Sequence, residues 1–235
     1  MTLIWLRSYP TQAVLSLTFN VSLTDVSRTL RRTWPMLYRY FSKDIAWPSV
    51  DTWKRLRHNW PTLPGVVGVI DATSHEVQVP PFERKYYSGH RKYNCIHTQI
   101  VIDNEKNIRY LSSGFYGHMN DAQTYSKIPS MGINKLLPLP HDSWILADGG
   151  YPCRQPLITP FRKTQLSNDV KQRQIQELFN TEVKFYRVYV EHVIVRLKHF
   201  KAIGSIFRND RDSLELIVHL CASLAQRRVE LFDDV

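Results

Sequence analysis

Two short apolar runs in this chain end in the same way. Val66-Val67-Gly68-Val69-Ile70 stops at Asp71, and Trp144-Ile145-Leu146-Ala147 stops at Asp148. A continuous β-branched run of this length reads as a strand covered on both faces, because a strand with one wet face alternates polar and apolar residues. An acid that ends such a strand leaves the sheet toward a crevice, where it is costly unless capped or liganded. The pattern therefore calls for a layered sheet with helices on its faces and two carboxylates delivered to one region of it.

The rest of the chain fits that frame. Residues 96–102 alternate around Thr98 and Gln99, and 108–112 follow the turn Asp103-Asn104-Glu105-Lys106-Asn107 as a hairpin partner. Asn120 opens a short helix to residue 128, residues 143–147 form a strand, and 168–179 and 181–204 read as two helices, the second ending on Gly204. Upstream, Val14, Leu15, Leu17 and Phe19 lie at helical spacing, Asn20 and Val21 interrupt, and Val26, Leu30 and Trp34 resume at intervals of four. Ser22 with Asp25 three residues on is an N-cap pattern, so the second helix starts near Leu23. Prolines then break 35–64 into a connector whose Trp47, Trp53 and Trp60 read as core anchors. The expected organisation is a helical, helix-turn-helix-like module and connector over 1–64, then a mixed α/β domain over 65–235.

Charge narrows the partner. With 43% hydrophobic and 22% charged residues the chain can build a core, which excludes general disorder. Its net charge of +10 favours an anionic partner such as nucleic acid. Lys/Arg against Asp/Glu runs 9 to 3 over 1–64, 8 to 8 over 65–150 and 14 to 10 over 151–235, so a balanced middle lies between basic flanks. No apolar run approaches the roughly 18 residues that span a bilayer, and no secretion leader is visible at the start, so no membrane association is expected. Cys95, Cys153 and Cys221 are odd in number and far apart, which points to a reducing compartment rather than a disulfide framework.

Glu191 adds a third acid, within the helical stretch of Val188, Val190, Val193, Ile194 and Leu197, with 42 residues between it and Asp148. Helical glutamates are usually solvated, but the order strand-end Asp, strand-end Asp, helix Glu suits two hard divalent ions held by oxygen. Two such ions activate a nucleophile on one side of a phosphodiester and stabilise the leaving oxygen on the other. Asp121 competes for the second position and has a plainer reading at the start of its helix; it and His118 are supporting candidates. Candidate nucleic-acid contacts are Ser27, Arg28, Arg31 and Arg32 on the second helix, Arg84, Lys85, Arg91 and Lys92 interleaved with tyrosines, and Arg187, Arg196 and Lys198 around Glu191.

Gly68-Val-Ile-Asp71-Ala-Thr73, Tyr86-Tyr-Ser-Gly89, Gly117-His-Met-Asn-Asp121, Leu146-Ala-Asp148-Gly-Gly-Tyr151 and Arg187-Val-Tyr-Val-Glu191-His-Val-Ile-Val-Arg-Leu-Lys198 together resemble the PIF/Harbinger group of DDE transposases. The resemblance covers about residues 11–210. It implies a ribonuclease-H-like catalytic domain behind a helix-turn-helix, and Asp71, Asp148 and Glu191 as the catalytic, metal-binding triad. It further implies two Mg²⁺ or Mn²⁺ ions, cutting and joining of DNA, a separate Myb-like DNA-binding partner and residence in the nucleus. Self-association into a homo-oligomer stays open. Ala72 and Val195 stand where the family commonly has glycine. Two other readings remain open: a domesticated, catalytically silent DNA-binding or scaffold protein, and a nuclease acting on RNA or branched DNA.

Overall fold

The computed structural model describes residues 1–80 and 82–232, the side chains of 228–232 excepted. In chain order its helices are α1 (Thr2–Ser8), α2 (Gln12–Phe19), α3 (Leu23–Phe41), α4 (Val50–Leu56), α5 (Asp121–Tyr125), α6 (Val170–Lys198), α7 (Lys201–Gly204) and α8 (Leu214–Phe232). The strands are β1 (Val66–Glu76), β2 (Tyr87–Ser88), β3 (Tyr93–Asp103), β4 (Ile108–Tyr116), β5 (Met131–Gly132), β6 (Leu137–Pro138), β7 (Trp144–Leu146) and β8 (Leu157–Ile158).

The two Asp-terminated runs lie side by side in one sheet. β1 is central, antiparallel to β3 on one side and parallel to β7 on the other. β4 and β2 pair with the other edge of β3, and β8 continues parallel to β7, so the principal order is β4-β3-β1-β7-β8. β5 and β6 form a separate parallel pair. The expected mixed sheet flanked by helices is therefore present.

The sheet is covered on both faces. One apolar cluster joins Val69, Ile100, Ile102 and Leu146 to Val183, Val190 and Val193 of α6, Ile217, Val218 and Cys221 of α8, and Trp5, Leu6, Leu30 and Trp34 of the N-terminal helices. The other holds Val67, Ile70, Val101, Ile145 and Leu157 against Trp53 of α4. The helices α1, α2 and α3 thus share one core with the sheet and with α6 and α8, while α4 belongs to the second cluster. Trp53 and Trp60 are buried as anchors, and Trp60 stacks on Tyr186 of α6 with ring centroids 4.8 Å apart.

Several expected boundaries need correction. Asp71 does not end β1; pairing with β3 continues to Glu76 opposite Cys95. The apolar run stops there because the side chains beyond face the cleft and a polar network, not because the strand does. The break expected between residues 179 and 181 is absent: α6 runs unbroken over 29 residues to Lys198, and Gly204 ends the separate short α7. Asn180, the residue that suggests a break, instead accepts a hydrogen bond from Phe161 N at 2.8 Å and donates to Phe161 O at 2.9 Å, so its side chain is satisfied laterally. α3 passes through Pro35 to Phe41 rather than stopping there. The Ser22 cap matches expectation, accepting from Asp25 N at 3.1 Å.

Candidate active site

Sheet register places the two aspartates. Val69 of β1 lies opposite Leu146 of β7, and each aspartate follows its counterpart by two residues. Period-two pleating turns both side chains to the face covered by α6, on strands spaced about 4.8 Å apart. α6 brings Arg187 and Glu191 to the same region, one helical turn apart. Its seat is fixed by the Trp60–Tyr186 stack and by Thr62, which donates to Glu182 at 2.5 Å.

The cleft has two adjoining hollows, with Asp71, Ala72, Ser74 and Arg91 common to both. Asp121, Asp148 and Arg187 line one, and Glu191, Val195 and Lys198 line the other. Asp71 therefore stands between Asp148 and Glu191. Asp121 shares the hollow of Asp71 and Asp148, where Gly150 separates two acids: a Cβ there would stand 2.9 Å from Asp121 Oδ2 and 3.0 Å from Asp148 Oδ1. Among the described residues, no three His, Cys, Asp or Glu side chains already form a metal shell.

Burial dominates the electrostatics. It pushes the Asp71 carboxyl up to about 6; the Ala72 N–H and Arg187 pull it down, while Asp148 and Asp121 push it further up. Burial also raises Asp121, with Asp148 the next cause. Asp71 Oδ1 accepts from Ala72 N at 2.8 Å, and Asp148 Oδ1 accepts from Gly150 N at 2.7 Å. Arg187 Nη2 lies 3.7 Å from Asp71 Oδ2 and 3.9 Å from Asp148 Oδ2. The two carboxylates that converge on this guanidinium offer hard oxygen atoms, the donor type that divalent cations of the magnesium class take.

The remaining expected contacts divide. Arg91 lines both hollows, and Arg84, Lys85 and Lys92 are exposed nearby on the β2 side. The Lys85 ammonium sits 4.7 Å above the Tyr116 ring. His118 turns to the Lys85 carbonyl at 2.8 Å and does not line the cleft. Lys198 lines the Glu191 hollow, yet its ammonium donates to the Ser74 and Ile203 carbonyls, and burial lowers it to about 8. Arg196 is half-buried on the same helix. Arg28, Arg31 and Arg32 are exposed on α3 and Ser27 is half-buried; Arg28 pairs with Asp25 at 3.0 Å. Ala72 and Val195 leave the acids in place, the first holding Asp71 through its N–H and the second lining the cleft.

One supporting chain of hydrogen bonds has no counterpart among the residues expected from the sequence. Tyr151 donates to Gln99 Oε1 at 2.7 Å, Gln99 Nε2 to Thr124 Oγ1 at 2.6 Å, and Thr124 Oγ1 to the Asp121 carbonyl at 3.0 Å. It ties the Asp148 turn to the first turn of α5. The signal available was Gln99 itself, a polar residue inside an otherwise buried strand.

Comparison with known proteins bears on this cleft. The DDE superfamily endonuclease family matches residues 70–226, two thirds of the chain. The Xenopus laevis protein named "Putative nuclease HARBI1" is 24% identical over 158 residues, 66% of this chain and 45% of its own length. Its Mus musculus counterpart is 23% identical over 144 residues, 60% of this chain and 41% of that protein. The "Probable transposase for insertion sequence element IS702" of Microchaete diplosiphon is 25% identical over 224 residues, 93% and 75% of the two chains. The chain thus spans less than half the length of these HARBI1 relatives, and no solved structure matches it. By the extent of the family match, which encloses Asp71, Asp148 and Glu191, the chain belongs to the DDE superfamily endonucleases.

Proposed function

We infer that the chain is a divalent-metal-dependent DNA nuclease of the Harbinger transposase type, with Asp71, Asp148 and Glu191 as the acids of its site. The observation that supports this reading most is that Asp71 of β1 and Asp148, two residues past the end of the parallel neighbour β7, line one hollow together with Arg187 of the helix that bears Glu191. The order β4-β3-β1-β7-β8, antiparallel in its first three strands and parallel in its last three, supports a ribonuclease-H-like domain. When bound, two Mg²⁺ or Mn²⁺ ions would supply the activated water or 3′-hydroxyl and the charge neutralisation that phosphodiester cleavage needs. Asp71 and Asp148, with Glu191 from the adjoining hollow, would hold them. Arg91, Arg84, Lys85 and Lys92 would steer the DNA backbone to the cleft, with the exposed face of α3 as a second grip. A Myb-like partner, self-association and nuclear residence belong to the same reading. No helix among the described residues is long and apolar enough to cross a membrane.

A catalytically silent DNA-binding derivative is the second reading, and the observation on its side is the lack of a ready metal shell among the described residues. Nicking of a supercoiled plasmid in Mg²⁺ or Mn²⁺ separates the two. The nuclease nicks, and Asp71→Asn, Asp148→Asn and Glu191→Gln each lose activity by at least a hundredfold. Wild-type protein that binds the plasmid but never nicks it refutes the first reading.

A further inference from the structure

Arg187 is held in the cleft in an unusual way. A guanidinium facing a carboxylate normally forks onto it with two parallel hydrogen bonds of about 2.7–2.9 Å. Here Nη2 stands 3.7 Å from Asp71 and 3.9 Å from Asp148, close to neither, and Nε is buried with no hydrogen-bond partner among the described residues. The side chain is only 20% exposed, so water does little to repay that loss. What holds the group is the combined field of two carboxylates, with Asp121 lining the same hollow. Such a place, between hard oxygen donors from neighbouring strands, is the one a bridging divalent cation takes.

We propose that Arg187 is an internal stand-in for a divalent cation between Asp71 and Asp148, and that metal loading displaces its guanidinium from that position. The inference rests on the nuclease reading above. It makes Arg187 a positioning residue with two consequences. The metal-free carboxylate pair is kept together without an ion, and the ion must compete with a tethered cation. Once displaced, the guanidinium leaves the acids with its charge unpaired at the mouth of a cleft read as accepting DNA. Metal and DNA then favour each other's binding by the same factor, as linkage requires.

The test is Mn²⁺ binding by calorimetry to the full chain without DNA, for wild type, Arg187→Gln and Arg187→Lys. Removing the resident charge should tighten Mn²⁺ binding about tenfold or more, whereas lysine, which keeps the charge, should stay within about threefold of wild type. A merely structural arginine would give the opposite order, with Gln binding more weakly. If wild type binds Mn²⁺ and Arg187→Gln binds no tighter, the inference fails and the nuclease reading stands. If none of the three proteins binds Mn²⁺, the nuclease reading fails and takes the inference with it. Should Arg187→Gln not fold, Arg187→Met keeps the aliphatic stem and carries the same expectation. Wild-type affinity for a short duplex gives an independent reading: it should tighten at least threefold when chelator is replaced by Ca²⁺, and unchanged affinity overturns the proposal.

Discussion

Asp71→Asn should make the metal-free protein more stable at neutral pH. Burial holds the Asp71 carboxyl at about 6 in the folded chain, against an ordinary value of 3.8. A difference of that size, at 1.36 kcal/mol per pH unit, is about 3 kcal/mol of preference for the uncharged form. The folded pKa is raised, so this contribution to stability is fully present below pH 3.8 and lost as pH rises through 6. Asparagine keeps the uncharged shape and still accepts the Ala72 N–H, so it should recover roughly 2–3 kcal/mol at pH 7.5 and almost nothing at pH 3.5. Urea denaturation in the presence of chelator at both pH values measures the difference directly. A variant that is destabilised at pH 7.5 by as much as at pH 3.5 would show that Asp71 is paired well enough to ionise freely, and the argument from burial would be wrong. The same variant should lose its nicking activity, separating what the acid does for chemistry from what it costs the fold.

Three other outcomes rest on packing and hydrogen bonding. Gly150→Ala places a methyl within 3.0 Å of both Asp121 and Asp148, so it should cost about 1–3 kcal/mol in urea denaturation and weaken Mn²⁺ binding by spreading the acids. Asp103→Ala should cost about 3 kcal/mol, because a fully buried carboxylate there accepts from Glu105 N and Asn107 N at 2.9 Å and from Arg109 Nε at 2.6 Å; a loss under 1 kcal/mol would refute that accounting. Tyr151→Phe strands Gln99 Oε1 in the core, with an expected cost of about 1–2 kcal/mol by thermal unfolding and a smaller loss of nicking than any change to the acids themselves.

The parts of this molecule legible in its sequence are those where a local rule and the tertiary packing agree. The β3–β4 hairpin follows from alternation on either side of the Asp103 turn, and the start of α3 from Ser22 and Asp25. The strand position of Asp71 and the place of Asp148 just past β7 follow from the apolar runs before them, although a run of apolar residues reports cover rather than strand length, and β1 outlasts it. The unbroken course of α6 is hidden because Asn180 is satisfied by a segment 19 residues away, which no local window contains. α8 and α1 are equally hard to read. The first is buried on several sides, so Leu214, Ile217, Val218, Leu220 and Cys221 blur the one-sided stripe that marks a surface helix, and the second is only seven residues long. At the site, sequence order singles out Asp71, Asp148 and Glu191, but it is silent on Arg187 lying between the first two, a matter of helix placement over the sheet.

The shared core of the N-terminal helices and the sheet carries a mechanical consequence. Trp5, Leu30 and Trp34 are packed into the same apolar mass as Val69 and Leu146, the residues two positions ahead of the paired aspartates. Any surface that α3 offers to another molecule is therefore offered at a set distance and angle from Asp71. The chain behaves as a ruler rather than a tether: the interval between a point held by α3 and a point reached by the acids is fixed by side-chain packing, and changing it requires repacking the core instead of lengthening a linker.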